Sequence, residues 1–306
     1  MNQETQDYSE QTRAIYHQQH TRIANDSVAM KRFINMFSTE YFGLDESFFK
    51  GKKILDAGCG DTAKVIIAMS KMGATEVHGL DLGEEFIPVA TQSMKNQGVD
   101  PNNVSLKSGS VLDMPYEDER FDFVICHGVL LHLNSLEEVE IAFKELARVT
   151  KPGGLLYTVY GIVGGLLEAA IIPAVREYYN GNREFKQFID NVSPENFEDA
   201  GIFVERMMKE HTGEVANLDI LTSLLDVDFC VMLQNLIQAP VRLSVPEKMI
   251  REMYDESGFC VPRRLGRYVK RQNLRKYLAP FHYDHDNATS QLFWGSGNLE
   301  FIGEKR

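Results

Sequence analysis

The chain has 306 residues, 43% apolar and 25% charged, enough to bury a full core in one large domain or two smaller ones. Its 32 basic and 44 acidic residues leave a formal net charge of −12, which favours solubility and makes nucleic acid a poor default partner. Cys59, Cys126, Cys230 and Cys260 are widely separated with no C-x-x-C pair, so neither a disulfide framework nor a zinc site is expected; reduced thiols in a cytoplasmic protein fit them.

The opening stretch MNQETQDYSEQTR is polar and acidic and lacks the apolar segment of a secretory signal. Residues 8–42 read as helical, with Ile15, Ile23, Met30, Phe33, Ile34 and Phe37 at three- and four-residue spacings. A regular alternation follows. Strands are predicted at 53–57, 76–80, 104–107, 121–126 and 155–160, with helices at 63–72, 84–97 and from Ser135 to Thr150. Ser135 and Glu138 form a capping box for the last of these, which carries Leu136, Val139, Phe143 and Leu146 on one face. Between residues 153 and 175 the only charge is Glu168. Gly161, Gly164, Gly165 and Pro173 interrupt that run, and the turn Lys151-Pro152-Gly153-Gly154 precedes it, so it reads as a buried strand and a helix rather than a membrane span.

After Tyr160 the pattern is mostly helical, with starts suggested by Ser193-Pro194 and Val245-Pro246. A helix ends at Glu256-Ser257-Gly258, and strand-like stretches near 259–269 and 291–302 can add two antiparallel edge strands. The expected fold is α/β: a Rossmann-like, mostly parallel seven-stranded sheet with helices on both faces. The expected divisions are an N-terminal helical arm over 1–45, a core over 46–160, a helical lid over 161–245, and residues 246–306 completing the sheet.

The stretch ILDAGCGDTA carries the first chemical signal. Gly58-Cys59-Gly60-Asp61-Thr62-Ala63 satisfies the dinucleotide pattern G-x-G-x-x-A, and Gly58 and Gly60 would let a ligand approach the backbone closely. A pyrophosphate prefers bare backbone N–H groups at a helix N-terminus, and the carboxylates of Asp56 and Asp61 would repel it. S-adenosylmethionine carries an ammonium and a sulfonium, which those carboxylates attract. Asp81, 21 residues beyond Gly60, stands where an acid can bind ribose hydroxyls of either cofactor.

Four blocks in order, LDAGCG, GLDL, SGSVLDMPYEDERFDFVICHGVLLHL and LARVTKPGGLLYTVY, resemble the class I S-adenosylmethionine-dependent methyltransferases, in their small-molecule branch. The resemblance implies that Asp56, Gly58 and Gly60 line the methionine part of the cofactor, that Asp81 holds the ribose, and that Leu82 lies against the adenine. It places Ser110 and Val111 at the adenine edge and Cys126 and His127 beside the sulfonium. Two positions depart from the family pattern: Thr62 stands at the third motif glycine, and Ser110 at the usual adenine-binding aspartate.

A sulfonium methyl is already activated, so the enzyme mainly positions an acceptor and excludes water. A base is needed only where the acceptor must lose a proton. Loops at the carboxyl ends of the strands offer His127 and Tyr160 as catalytic candidates, and His132, which otherwise reads as structural. The arm adds Tyr8, Tyr16, His17 and His20, and the apolar lid segment GIVGGLLEAAIIPAV adds Glu168 as a group for a cationic part of an acceptor.

Seven basic residues between 263 and 276, Arg264 and Arg267 among them, read either as a solvated edge or as a site for an anionic acceptor. His282, Asp284, His285 and Asp286 are metal-capable types, but no partner cluster at ligand spacing accompanies them, and no metal is expected. The expected activity is methyl transfer to O, N or S of a small metabolite, such as an amino acid or another carboxylate-bearing acceptor. Pairing into a homodimer is left open, and no membrane partner is expected. Three alternatives stay open: an RNA or protein methyltransferase using the basic stripe, a non-catalytic cofactor-binding regulator, and an NAD-dependent oxidoreductase.

Overall fold

The structure, a computed structural model, describes residues 7–162, 164–193, 227–265, 291–292 and 295–306. Apolar runs such as ILDA and FVIC are buried on both faces, which is the pattern of a strand inside a parallel sheet. The parallel strands are β1 (Lys53–Ala57), β2 (Glu76–Asp81), β3 (Val104–Ser108), β4 (Phe121–His127) and β5 (Thr150–Ile162). Two short partners close the edge, β6 (Arg263–Arg264) and β7 (Asn298–Glu304), with β7 antiparallel to both β5 and β6. The order is β3-β2-β1-β4-β5-β7-β6.

That order reverses direction between β1 and β4. Ligands of open α/β sheets bind in the crevice at the carboxyl ends of strands where the order reverses. The loops after Ala57 and His127 flank that crevice.

Two strands differ from the sequence expectation. β5 starts at Thr150, because Phe121 pairs with Thr150 before the Lys151–Gly154 turn and Phe123 pairs with Leu155 after it; the turn is absorbed as an irregularity within the strand. The last strand begins only at Asn298, since Gly295 and Gly297 take positive φ and residues 291–292 are helical.

The N-terminal segment is three helices rather than one: α1 (Ser9–Ala24), α2 (Ser27–Met36) and α3 (Thr39–Phe42). Side-chain caps make the breaks. Asp26 accepts hydrogen bonds from the N–H groups of Val28 and Ala29, and Ser38 accepts from Tyr41. The core helices α4 (Lys64–Lys71), α5 (Phe86–Asn96) and α6 (Leu136–Val149) follow their strands. At α6, Ser135 caps the Glu138 N–H at 3.2 Å, while the Glu138 carboxylate reaches Asn134 N–H at 2.9 Å, one residue beyond the expected box partner.

A π-helical turn at Leu167–Ile171 leads into α7 (Ile172–Gly181) and α8 (Arg183–Asp190). The next described helices are α9 (Val227–Gln238) and α10 (Glu247–Glu256). No helix among the described residues is long and apolar enough to cross a membrane.

The sheet separates two cores. On one face Ile54, Phe123, Ile125, Tyr157 and Val159 pack with the arm residues Ile23, Met30, Phe37 and Phe42 and with α4 and α5. On the other, Leu55, Val124, Cys126, Leu156 and Tyr160 pack with α6 and α10. A small satellite of Tyr179, Ile189 and Ile237 joins α7, α8 and α9. The arm bridges core and satellite, since Gln19 donates to Gln238 at 2.9 Å and Arg22 to Val192 O at 2.7 Å.

Candidate functional site

The chain leaves β1 through a turn that only small residues fit. Gly58 has φ +91, its N–H donates to Leu80 O at 2.7 Å, and a Cβ there would stand 2.1 Å from Cγ2 of Val129. Gly60 has φ +58 and donates to Asp81 Oδ2 at 2.7 Å, with the His20 ring where its Cβ would be. The next positive φ is at Ala63, at +48, and not at Thr62. Thr62 therefore stands at a position that makes no glycine-like demand on the backbone, and it is buried with its carbonyl accepting from Ser93 Oγ at 2.9 Å.

Three carboxylates surround this turn. Asp56 is 1% exposed, and neither of its oxygens has a hydrogen-bond partner among the described residues. Burial pushes its carboxyl up to about 7; the Asp81 charge adds to the rise, and Lys64 opposes it. Asp81 is also raised, to about 6, by burial, against the N–H groups of Gly60 and Leu82 that hold its ionised form. Asp61 is raised by burial too, but pairs with His17 Nδ1 at 2.7 Å.

A buried carboxylate with both oxygens orphaned is an energetic liability unless a donor or cation arrives from outside the chain. The ammonium of S-adenosylmethionine fits that requirement, and a dinucleotide phosphate does not. Gly109 N–H donates to Asp81 O at 2.9 Å, which brings Ser110 and Val111 to the rim that carries Asp81, and Leu82 is 39% exposed beside them. Ser110 Oγ accepts from Leu112 N–H at 3.1 Å.

Strand alternation corrects two sequence assignments. Cys126 faces the second core with its thiol wholly buried, so it can offer the crevice only backbone. Tyr160, expected as a catalytic candidate beside His127, is also wholly buried in that second core, on the face of the sheet opposite His127. The tyrosine on His127's own face is Tyr157. Its hydroxyl lies 3.5 Å from His127 Nδ1 and 3.0 Å from the Tyr41 hydroxyl, and it donates to the buried Glu300 carboxylate at 3.2 Å. The period-two pattern of LLYTVY holds this information, but only once the register Ile125↔Tyr157 and His127↔Val159 is known.

Beyond the crevice the arm, the loop after β4 and the lid meet. Tyr16 Oη and His132 Nε2 are 2.6 Å apart, and His132 Nδ1 is 2.8 Å from Val241 O. Glu168, on the π-turn, faces Arg242 at 3.4 Å and Ser244 Oγ at 3.4 Å. Arg176 of α7 donates from Nε to Leu236 O at 2.9 Å, and its Nη2 is buried with no acceptor among the described residues.

Tyr16, His132 and Glu168 are thus brought together with Arg176 and Arg242, two residues that sequence reasoning passed over. Tyr8 sits nearby, its N–H on Asn134 Oδ1 at 3.0 Å. Arg264 is not part of this group. It lies on β6, paired with Glu247 at 2.7 Å and with Ser296 O, where it ties α10 to the sheet edge. Its neighbour Arg263 holds Phe42 O. Arg267, the rest of the basic stripe and the 282–286 loop lie outside the described residues; among the described ones no metal-ligand cluster occurs.

Residues 48–206 match the family model described as a methyltransferase domain. Among similar curated proteins, a demethylmenaquinone methyltransferase of Staphylococcus carnosus is 40% identical over 108 residues, 35% of this chain and 42% of that protein. Another, of Staphylococcus haemolyticus, is 35% identical over 148 residues, 45% of this chain and 59% of that protein. The chain therefore spans about half the length of the curated relatives it matches. In fold it is similar to the structure of PKMT2 from Rickettsia typhi in complex with AdoHcy, at a TM-score of 0.53 and 16% identity, covering 89% of this chain and 52% of that one.

Proposed function

The chain belongs to the methyltransferase-domain family, in its class I S-adenosylmethionine-dependent form, and from that premise we propose that it moves a methyl group from S-adenosylmethionine to a small carboxylate-bearing metabolite. One observation carries the cofactor assignment: the buried Asp56 carboxylate, without a hydrogen-bond partner among the described residues at the mouth of a glycine turn. Its charge matches the cofactor's ammonium, and Asp81 is placed for the ribose hydroxyls. Bound there, the cofactor supplies an activated methyl group, and the protein's task is alignment and exclusion of water.

The chain's own residues support that task. His20 covers Gly60, and burial, with Lys64, His132 and His17 adding, holds its imidazole down to about 3, so it closes the crevice as a neutral ring. His127 and Tyr157, braced by Phe37 in an edge-on contact at 5.2 Å, form the wall below the acceptor side. The arm lies over the glycine turn, with the His20 ring against Gly60, which suits a small acceptor better than a macromolecule.

Calorimetry with S-adenosylhomocysteine and NAD tests the cofactor, and a protein-dependent mass gain of one methyl group in a metabolite extract tests the transfer. Binding of NAD in place of S-adenosylhomocysteine would overturn this reading.

A further inference from the structure

Among the described residues, the acceptor end of the crevice sets two guanidiniums, Arg176 and Arg242, against one carboxylate, that of Glu168. Its 3.4 Å approach to Arg242 is looser than the ~2.8 Å of a tight charge-assisted pair. Arg242 is 12% exposed at its side chain and Glu168 17%, so solvent screens the group poorly. Arg176 keeps a buried Nη2 with no acceptor among the described residues. Two partly desolvated guanidiniums that feel each other's charge and share one loosely held carboxylate favour the arrival of a second anion.

The same group contains an oriented proton acceptor. A backbone carbonyl can only accept, so His132 must carry its proton on Nδ1 to bond Val241 O. That leaves Nε2 as a lone pair, and the Tyr16 hydroxyl donates into it at 2.6 Å. Both side chains are half-buried, not sealed. The tyrosine ring also contacts His20, the residue over Gly60, at 5.5 Å between centroids, so this pair adjoins the cofactor turn.

The geometry points to an acceptor subsite in which Arg176 and Arg242 clasp a carboxylate while Tyr16 and His132 take the proton of a nearby hydroxyl, so that the enzyme makes a methyl ether of a hydroxy acid. This rests on the methyl-transfer reading above. In the step, the acceptor oxygen bonds to the methyl carbon as the carbon–sulfur bond breaks and sulfur keeps the electron pair. The hydroxyl proton passes to the Tyr16 oxygen, whose own proton moves to His132 Nε2 and from there to solvent.

The arrangement couples binding to proton transfer. Burial holds His132 down to about 4, the Val241 carbonyl opposes that, and Arg242 and Arg176 depress it further. A carboxylate seated on the two guanidiniums offsets their contribution and makes the imidazole a better base when acceptor is present.

The test uses the full chain, methyl-deuterated S-adenosylmethionine and a metabolite extract split on an anion exchanger. Label is expected in the anionic fraction, on a product that still has a free carboxylate. Arg176→Gln and Arg242→Gln should each raise the amount of that fraction needed for half-maximal labelling by at least about tenfold. Tyr16→Phe should instead lower the maximal rate about tenfold with little change in half-saturation.

Calorimetric affinity for S-adenosylhomocysteine should stay within about twofold in all three variants, which shows that they are folded. Label in the neutral or cationic fraction, esterified carboxylate in the product, or arginine variants with unaltered half-saturation would overturn the subsite while leaving methyl transfer intact. Wild-type protein that binds the cofactor but labels no fraction, or fails to bind it, overturns the underlying reading and the subsite with it.

Discussion

The two ends of the crevice are built in opposite ways. The cofactor end is acidic, with Asp56, Asp61 and Asp81 around one turn; its glycines and acids all lie between residues 53 and 127, and the arm adds His17 and His20 over them. The proposed acceptor end is basic, and its members, Tyr16, His132, Glu168, Arg176 and Arg242, come from four separate stretches of chain. A cationic ligand suits the first and an anionic ligand the second. Local turn chemistry makes the cofactor end legible from a short motif, whereas the acceptor end exists only after arm and lid have docked.

The strongest way to break that contrast is at Gly58. Gly58→Ala forces a Cβ to 2.1 Å from Val129 at φ +91, and should cost roughly 3 kcal/mol or more of stability, visible as a lower thermal midpoint and lost cofactor binding. A second cut at the same end is Asp81→Ala. It removes the acceptor of the Gly60 and Leu82 N–H groups as well as the proposed ribose contact, and should weaken S-adenosylhomocysteine binding by roughly 1–3 kcal/mol in calorimetry. An unchanged affinity would separate β2 from the cofactor.

Proton linkage sharpens the comparison further. Asp56 has a folded value near 7, above its unfolded value near 4, so the folded state holds the proton in between. Its contribution to stability is fully present below pH 4 and is lost as pH rises through 7. His20 and His132, both lowered by burial, act in the opposite sense: what they contribute is present above their unfolded value and is lost as pH falls through about 3 and about 4. The diagnostic is therefore a difference. Asp56→Asn should make unfolding free energy rise more steeply with pH between 4 and 7 than it does in the wild type. A cationic cofactor favours the ionised carboxyl, so its affinity should rise from pH 6 to 8 in the wild type and stay flat in Asp56→Asn.

The smallest expected effects separate the two tyrosines of β5. Tyr157→Phe removes bonds to Tyr41 and Glu300 and the approach to His127, and should lower stability by about 1 kcal/mol with a several-fold loss of turnover. Tyr160→Phe, on the opposite face, should leave turnover within about twofold. Equal losses in both would show that the hydroxyl near His127 has no part in the reaction.

Strands β1 to β4 were readable within a residue or so, because buried parallel strands are short apolar runs between turns. The breaks in the arm were readable in principle at Asp26 and Ser38, yet a helical period running through residues 8–42 hides them unless capping is weighed against it. Tyr160 was the residue the motif suggested, and Tyr157 the one the sheet supplied. The two are three positions apart, and strand alternation sends them to opposite faces. Of the arginines first suspected of holding an anion, Arg264 is engaged elsewhere, and Arg267 lies outside the described residues. Arg264 stands in a conspicuous basic stripe, but an ion pair with Glu247 of α10 engages it, while Arg176 and Arg242 belong to otherwise unremarkable segments.

What the amino-acid order determined unaided is the alternation of strand and helix, the glycine turn and the acids beside it. These depend on neighbours a few residues away, through sterics at positive φ and burial along single strands. The orphaned Asp56 oxygens, the face on which each tyrosine lies, and the meeting of Tyr16 and His132 with two arginines were decided by tertiary structure. They depend on register and docking between segments up to 226 positions apart in the numbering, from Tyr16 to Arg242, and no local pattern encodes such a distance.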